Sequence, residues 1–219
     1  MAEIRVLIVD DDPLVRNALS HFVSRGPEIT VVAEAENGIE AIASVGRHRP
    51  DIVMMDIQMP YMDGIEATAE ITTRWPDVRV LAVTTLDTSD TVLPMLSAGA
   101  SGYLLKDSSA DEILTGLRQI HEGSSTLSPR IASLLVRHVR ENEPVNASRT
   151  DQLEELTERE AEVLTRLAQG MSNAEIARAL HVSEGTVKAH LGHIMSKWQV
   201  RDRVQILVTA ARAGVVDFR

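Results

Sequence analysis

The stretch Leu-Ile-Val-Asp-Asp-Asp, residues 7–12, decides the fold of the first half of this chain. It ends an apolar run that begins at Ile4, and it stops at three consecutive carboxylates. A short apolar run of this kind is typical of a strand buried on both faces. Because both faces of such a strand are covered by helices, the run predicts an α/β domain with a parallel sheet.

The same pattern recurs along the first 125 residues, where short apolar runs alternate with amphipathic stretches. The predicted strands are Ile4–Val9, Thr30–Ala33, Ile52–Met55, Val78–Val83 and Gly102–Leu105. The predicted helices are Pro13–Ser24, Gly38–Arg47, Gly64–Arg74, Thr88–Ala98 and Ala110–Glu122. Five strands alternating with five helices predict a doubly wound sheet, which binds its ligands beyond the carboxyl ends of the strands.

Length and composition exclude several classes of protein. The chain has 219 residues, of which 44% are hydrophobic and 25% charged, enough for two domains with separate cores. The absence of Cys excludes a disulfide scaffold and a thiolate zinc site. The first apolar run is too short and too charged for a signal peptide, and no stretch approaches the roughly 20 apolar residues that cross a bilayer. We therefore expect a cytoplasmic protein without membrane contact.

Polar side chains follow the predicted strands at the edge where ligands are expected. They are Asp10 and Asp11 after the first strand, Asp56 after the third, Thr84 at the end of the fourth and Lys106 after the fifth. Carboxylates that meet at one edge repel one another, and their pKa values rise unless a cation is present. Mg²⁺ is usually held by one or two carboxylates and a phosphate oxygen. With the Lys106 ammonium and the Thr84 hydroxyl, the set suits a phosphoryl group on Asp56.

Each of these residues has a simpler explanation when it is taken alone. Asp is common at turns, so residues 10–12 would form a solvated turn and Asp56 would merely follow a strand. The agreement of four strand ends is what favours the phosphoryl site over this explanation.

Four motifs of the segment resemble the receiver domain of bacterial response regulators. They are residues 7–12, Met-Asp-Ile-Gln-Met-Pro at 55–60 with Asp63-Gly64, Val-Thr-Thr at 83–85, and Ala-Gly-Ala-Ser-Gly-Tyr-Leu-Leu-Lys-Asp at 98–107. The resemblance implies a flavodoxin-like, five-stranded parallel sheet of order 2-1-3-4-5. It also implies a sensor histidine kinase as the partner that supplies the phosphoryl group.

The resemblance further implies a role for each site residue. Asp56 is the phosphoacceptor, and Asp11 and Asp56 bind Mg²⁺ directly together with the Gln58 carbonyl oxygen, whereas Asp10 acts through water. Lys106 contacts the phosphate. Thr84 and Tyr103 match the pair that couples phosphorylation to the far face of the domain. Pro60 and Gly64 match positions that shape the loop of the site.

A phosphatase of the haloacid-dehalogenase type is the main alternative, because it also uses a nucleophilic Asp with Thr, Lys, acidic residues and Mg²⁺. In that family a second Asp, two residues after the nucleophile, works as acid and base, and the acidic pair comes last. Here the acidic pair comes first, and the position two after Asp56 is Gln58. Without that general acid, we expect the site to hold a phosphoryl group longer than a turnover enzyme would.

The second half of the chain differs in charge and in pattern. The whole chain has a formal net charge of −10, of which residues 1–162 carry −14 and residues 163–219 carry +4. Such asymmetry hints at a polyanionic partner for the second half. The boundaries we predict are a receiver domain over 1–125, a helical stretch (Ile131–Arg140) and a flexible linker within 126–150, and an all-α domain over 151–219.

Four helices with clear start signals are predicted from Leu156 onward. The signals are the capping-box pairs Thr157/Glu160 and Ser172/Glu175, then Ser183 and Asp202. The second and third helices have the layout of a helix-turn-helix, whose second member enters the major groove of DNA. The third helix has an apolar stripe opposite a small, polar and partly basic face. Helix pairs of this kind are common in globular domains, so simple solvation of that face stays open.

Several side chains of the polar face have chemistry that suits DNA. Lys188 can reach a base edge or a phosphate, and Ala189 can touch a thymine methyl group. Lys197 or Arg201 can pair with phosphates. His190 and His193 lie three residues apart and would in principle bind zinc. No third ligand type lies near these histidines, which favours phosphate contact or solvation.

The sequence motifs of this segment are similar to those of the LuxR-type DNA-binding domain. The matching motifs are Leu-Thr-Glu-Arg-Glu at 156–160, Gly-Met-Ser-Asn-Ala-Glu-Ile-Ala at 170–177, and Ser183 through Thr-Val-Lys-Ala-His at 186–190. By this resemblance Thr186, Lys188 and their neighbours contact DNA. Gly192 departs from the basic residue of some relatives, and Trp198 replaces the usual Leu. We expect weaker affinity from the first departure and repacking from the second.

The last helix has an apolar stripe, which consists of Val204, Leu207, Val208 and Ala211. Packing within the domain explains part of it. The resemblance implies that this helix also dimerises the DNA-binding domain, which would place two α-helices on half-sites about one turn of DNA apart.

Together the two halves indicate a transcription regulator of the NarL/FixJ type. A histidine kinase would phosphorylate Asp56 with Mg²⁺, and the phosphorylated homodimer would bind double-stranded promoter DNA. It would accept a phosphoryl group without being a turnover enzyme. A regulator that works without phosphorylation remains the other alternative.

Overall fold

The computed structural model describes residues 3–85, 89–122, 126–127, 153–213 and 215. The chain divides into two compact units, Met1–Leu127 and Ser128–Arg219. The predicted helical stretch Ile131–Arg140 and the rest of the predicted linker beyond residue 127 lie outside the described residues.

The first unit contains a parallel sheet. Its strands are β1 (Ile4–Val9), β2 (Ile29–Ala35), β3 (Ile52–Met55), β4 (Arg79–Thr84), β5 (Gly102–Leu105) and β6 (Thr126–Leu127). They are arranged in the order β2-β1-β3-β4-β5-β6, and every pair is parallel. The predicted order 2-1-3-4-5 is confirmed. β6 extends it, and no sequence periodicity could indicate this strand because it is only two residues long.

Five helices connect the strands. They are α1 (Pro13–Val23), α2 (Gly38–His48), α3 (Gly64–Arg74), α4 (Ser89–Ser97) and α5 (Ala110–His121). One face of the sheet packs against α1 and α5, where Ile8 of β1 shares a core with Leu19 and Leu117. Asp12 and Asp63 follow the strands β1 and β3 and cap α1 and α3, so strand ends and helix starts meet at one edge of the sheet.

The second unit consists of helices in its described part, which spans residues 153–213 and 215. They are α6 (Glu158–Ala168), α7 (Asn173–Leu180), α8 (Glu184–Trp198) and α9 (Arg203–Arg212). Both predicted capping boxes are present, at the starts of α6 and α7. α8 packs against α6, α7 and α9 and is therefore the central helix of the unit. Across the described residues of the whole chain, no helix has the length and hydropathy needed to cross a membrane.

Candidate functional site

The carboxyl ends of β1, β3 and β5 bring three charged side chains together. Asp10 is fully buried and Asp56 is 5% exposed. Lys106 Nζ lies 2.6 Å from Asp10 Oδ2 and 3.1 Å from Asp56 Oδ2. One ammonium group therefore pairs with two buried carboxylates at the edge of the sheet.

Burial shapes the acid–base properties of this group. Burial raises the pKa of Asp56, and the nearby Lys106 ammonium opposes the rise only in part. Burial alone would lower the pKa of Lys106, but its pairing with Asp10 and Asp56 outweighs burial and raises it. Lys106 thus stays protonated at neutral pH, and an added cation would favour the ionised form of Asp56 against the effect of burial.

Asp11 completes an acidic pocket. Asp10, Asp11 and Asp56 each offer a carboxylate oxygen, and these oxygens lie within 4.8 Å of one another. Asp11 is exposed, so the acidic pocket is open to solvent at Asp11. Asp11 also lines an open groove together with the exposed Gln58. A set of hard oxygen donors, two of them buried, is compatible with Mg²⁺.

The backbone beside Asp56 requires a glycine at position 64. Gly64 N–H donates to the Ile57 carbonyl oxygen over 2.9 Å, which folds the loop back on the end of β3. A Cβ atom at Gly64 would lie 1.9 Å from the Asp56 carbonyl oxygen. Ile57 N–H in turn donates to Asp56 Oδ1 over 2.8 Å, which orients the carboxylate. The loop thus fixes both the backbone and the side chain of Asp56.

Thr84 and Tyr103 lie on the neighbouring strands β4 and β5. Thr84 is 1% exposed, and Tyr103 is the largest of the fully buried side chains among the residues that the structure describes. Tyr103 is paired in register with Ala82, two residues before Thr84. The structure thus places the Tyr103 ring inside the unit, close in register to Thr84 at the edge of the site.

In the second unit, α7 and α8 form a tight helix pair. His181 ends α7 in the left-handed conformation with φ 54°, and Val182 N–H donates back to the Ala177 carbonyl oxygen. Ser183 caps α8 by accepting from Thr186 N–H over 3.0 Å. The turn between the helices is therefore only three residues long.

The two faces of α8 differ in exposure. Val187, Leu191, Ile194 and Trp198 are buried, and Met195 is half-buried. The Trp198 indole N–H donates to the Glu154 carbonyl oxygen over 3.1 Å, a bond that Leu could not make. On the opposite side Lys188, Ala189 and His193 are exposed, while Thr186 and His190 are half-buried.

Comparison with known families accounts for both units. The model of the response regulator receiver domain matches residues 6–118, and the model of the bacterial regulatory proteins of the luxR family matches residues 154–210. The chain belongs to the response-regulator family. It is a DNA-binding transcriptional regulator of a two-component system, with a LuxR-type helix-turn-helix formed by α7 and α8.

Known relatives match this chain over nearly their whole length. The transcriptional regulatory protein LnrK of Bacillus subtilis is 40% identical over 98% of this chain and 100% of its own length. The response regulator protein VraR of Staphylococcus aureus is 37% identical over 98% of this chain and 99% of its own. The crystal structure of the response regulator ChrA of a heme-sensing two-component system is 37% identical, covers 98% of this chain and all of its own, and has a TM-score of 0.54.

Two of the basic residues predicted to contact DNA have partners within the chain. Lys197 Nζ donates to Glu160 Oε2 over 2.8 Å and to the Glu155 carbonyl oxygen over 3.0 Å. The Arg201 side chain is 17% exposed, and its Nε lies 3.7 Å from Asp202 Oδ2. Both cations thus have a carboxylate neighbour within the chain, and the contact of Lys197 or Arg201 with phosphates stays a prediction.

The described residues of the predicted dimer stripe pack within their own domain. Val204, Leu207 and Val208 are between 0% and 6% exposed in the single chain, and α9 packs against α6 and α8. These side chains form part of the domain's own core, as the packing explanation predicts, and dimerisation through α9 stays a prediction. The side chain of Ala211, the fourth residue of the stripe, lies outside the described part of the structure.

Arg16 in the receiver is a residue of the site that the sequence did not predict. Arg16 of α1 is 8% exposed, and its guanidinium donates to the Asp10 carbonyl oxygen over 2.7 Å and to Glu36 Oε1 over 2.8 Å. It therefore fixes the backbone of a carboxylate that pairs with Lys106. Its only signal in the sequence is its position on α1, one turn after Asp12.

Proposed function

We propose that the receiver accepts a phosphoryl group on Asp56 from a sensor histidine kinase. The observation that carries the proposal is the ion pairing of Lys106 with the two buried carboxylates Asp10 and Asp56. Mg²⁺ would be held by Asp10, Asp11 and Asp56 with the Gln58 carbonyl oxygen. When bound, it would supply the positive charge that phosphoryl transfer between anions needs.

The chemistry proposed for Asp56 is nucleophilic attack by a carboxylate oxygen on phosphorus. The bond between phosphorus and the donor nitrogen breaks, the donor keeps that electron pair, and an acyl phosphate remains on Asp56. Lys106 keeps its positive charge beside the new phosphate. Gln58 stands where a phosphatase of this chemistry would carry a general acid. We therefore propose a receiver that stores the phosphoryl group, and no turnover enzyme.

The proposed output is promoter binding by a phosphorylated homodimer. Thr84 and Tyr103 would reorient on phosphorylation, and Thr186, Lys188 and Ala189 would face the major groove. Coupling between distant sites of this kind typically amounts to about 1 to 3 kcal/mol, which predicts a graded shift in DNA affinity. We propose that the receiver spans 1–125, the linker 126–150 and the DNA-binding domain 151–219, in a cytoplasmic protein.

Intact-mass measurement tests the phosphorylation step. The purified chain is incubated with a small phosphodonor, with and without Mg²⁺, and we expect one added phosphoryl mass that depends on Mg²⁺. Asp56→Asn should gain none. Asp12→Asn is the matched control, because the Asp12 side chain caps α1 by accepting from Leu14 N–H and Asn also caps helices. Unchanged mass in the wild type would refute the phosphorylation proposal and leave regulation without phosphorylation.

The alternative enzyme is tested with the same protein. A phosphatase would release phosphate steadily from a generic phosphate ester, whereas the proposed receiver would not. Binding to a promoter library before and after phosphodonor treatment then tests the output, and we expect tighter binding and a dimer mass after treatment. Equal affinity in both states would contradict the proposed coupling.

A further inference from the structure

The start of α6 contains a carboxylate with more partners than a helix cap needs. Glu160 is 3% exposed, and its Oε2 accepts from Thr157 N–H over 2.8 Å, which completes the capping box. The same oxygen accepts from Lys197 Nζ over 2.8 Å, and Nζ also donates to the Glu155 carbonyl oxygen. The N-terminus of α6 thus binds a lysine of α8, 37 residues later in the chain.

The capping box of α7 shows what capping alone looks like. Glu175 occupies the same position, and its Oε2 accepts from Ser172 N–H over 2.8 Å. Glu175 is exposed to solvent, whereas Glu160 is buried against α8. The cap therefore does not require burial, and the contact of Glu160 with Lys197 needs a separate explanation.

Lys197 lies on the same side of α8 as residues that face the proposed DNA site. His190, His193 and Lys197 are spaced at i, i+3 and i+7, which places them on one face of the helix. His193 Nδ1 lies 4.0 Å from Glu160 Oε1, so the buried carboxylate reaches this face at two points. The negative charge of Glu160 therefore acts on the polar surface of the helix as well as on its own cap.

The pair is chemically stable as an ion pair. Burial alone would raise the pKa of Glu160, but the Lys197 ammonium and the amide and hydroxyl of Thr157 lower it to about 2. The carboxylate is thus ionised at neutral pH. Breaking the pair would leave a buried negative charge without its counterion, which is strongly unfavourable.

We propose that Glu160 neutralises Lys197 and so removes one positive charge from the DNA-binding face of α8. Binding of the DNA backbone grows with each phosphate that a free cation neutralises. A LuxR-type domain with Lys197 released would bind any duplex more tightly and with less regard for sequence, since phosphate contacts carry no sequence information. Glu160 is thus a positioning residue that limits non-specific affinity. This inference rests on the proposed contact of α8 with DNA.

The salt dependence of DNA binding tests this role. The full-length protein, treated with phosphodonor, is titrated with a fluorescent duplex of mixed sequence at several salt concentrations. The logarithm of the association constant falls with the logarithm of salt concentration by about 0.9 for each phosphate neutralised. We expect the slope of Glu160→Gln to be steeper than that of the wild type by about 0.9, with tighter binding at low salt. Gln retains the capping box, because its amide oxygen accepts from Thr157 N–H as Glu does.

Two controls separate charge release from loss of the cap. Glu175→Gln removes the same charge from the other capping box and should leave the slope unchanged. The double variant with Glu160→Gln and Lys197→Met should return to the wild-type slope, because the released cation is gone. Far-UV circular dichroism at the assay temperature shows that each variant keeps its helices.

Other results would overturn the inference. An unchanged slope in folded Glu160→Gln means that Glu160 has only a structural role. A slope lowered by about 0.9 in Lys197→Met means that Lys197 already contacts phosphate in the wild type. If Glu160→Gln does not fold, the salt slope of Lys197→Met still tests the proposal. A slope equal to that of the wild type supports a lysine that is already neutralised. A wild type that binds no duplex at low salt refutes the proposed DNA contact itself.

Discussion

The close approach of Gly64 to Asp56 makes a small substitution a severe one. A Cβ atom at position 64 would stand 1.9 Å from the Asp56 carbonyl oxygen, whereas real Cβ contacts essentially never fall below 3.0 Å. Gly64→Ala must therefore displace the backbone by at least 1.1 Å, the difference between these distances. The obstacle is backbone, so no rotamer change of a side chain relieves it.

The displacement falls on the residue that we propose as phosphoacceptor. A misplacement of about 1 Å near reacting atoms can cost about 100-fold in rate. We expect Gly64→Ala to slow phosphorylation by a small phosphodonor by about that factor, and to lower the free energy of unfolding by about 1 to 3 kcal/mol, the usual cost of overpacking. Intact-mass time courses at saturating Mg²⁺ measure the rate, and urea denaturation measures the stability.

Gly46→Ala is the matched control. Gly46 lies within α2, and a Cβ there would meet the Trp75 ring at 3.5 Å, an ordinary contact. Because Ala has a higher helix propensity than Gly, this variant should gain up to about 1 kcal/mol and keep the wild-type phosphorylation rate. A Gly64→Ala protein that is phosphorylated within about three-fold of the wild-type rate would refute the reasoning, since the penalty expected from a 1 Å shift is some 100-fold.

Three further predictions concern side chains that hold the two units in shape. Arg16→Met should weaken Mg²⁺ binding several-fold in titration calorimetry, because it releases a backbone carbonyl at the acidic pocket. The control Arg118→Met breaks an arginine–carboxylate pair on α5 and should leave Mg²⁺ affinity unchanged. Since the pKa of Glu160 is lowered to about 2 from an ordinary 4.5, its ionised form stabilises the fold fully above pH 4.5 and progressively less as the pH falls towards 2. The stability advantage of wild type over Glu160→Gln should therefore shrink between pH 6 and pH 3 in denaturant titrations, and a constant difference would contradict it. Trp198→Phe removes the indole N–H bond to Glu154 together with part of a buried ring, and should cost at least about 1 kcal/mol in the same assay. No change would mean that neither the bond nor the lost ring volume contributes.

Much of the receiver could be predicted from the sequence because its topology follows from local patterns. The apolar runs of β1, β3 and β5 have the bounds that the periodicity indicates. In a parallel sheet the residues after these runs must meet at one edge, so the proximity of Asp10, Asp56 and Lys106 follows from strand order. Their proposed roles in phosphorylation stay predictions.

The partners of the long basic side chains could not be predicted in this way. Periodicity places Lys197 on a polar face of α8, but it does not reveal a buried carboxylate 37 residues earlier in the chain that meets this face. Lys and Arg have long apolar stems, so the same position can present its charge to solvent or bury it in a pair. Arg16 shows the same ambiguity, since it lies on α1 and reaches the Asp10 backbone.

The apolar stripe of α9 shows a related limit. A stripe at i, i+3, i+4 and i+7 predicts a buried face, and both the core of one domain and the interface of a dimer satisfy that prediction. The distinction depends on whether other helices of the same chain reach the stripe, and α6 and α8 do so. We expect a dimer of the DNA-binding domain that uses α9 to involve side chains beside the stripe, such as the half-buried Gln205 and Thr209. Substitution of Gln205 by a charged residue would consequently separate dimerisation from folding, whereas substitution of Val204 would disturb both together.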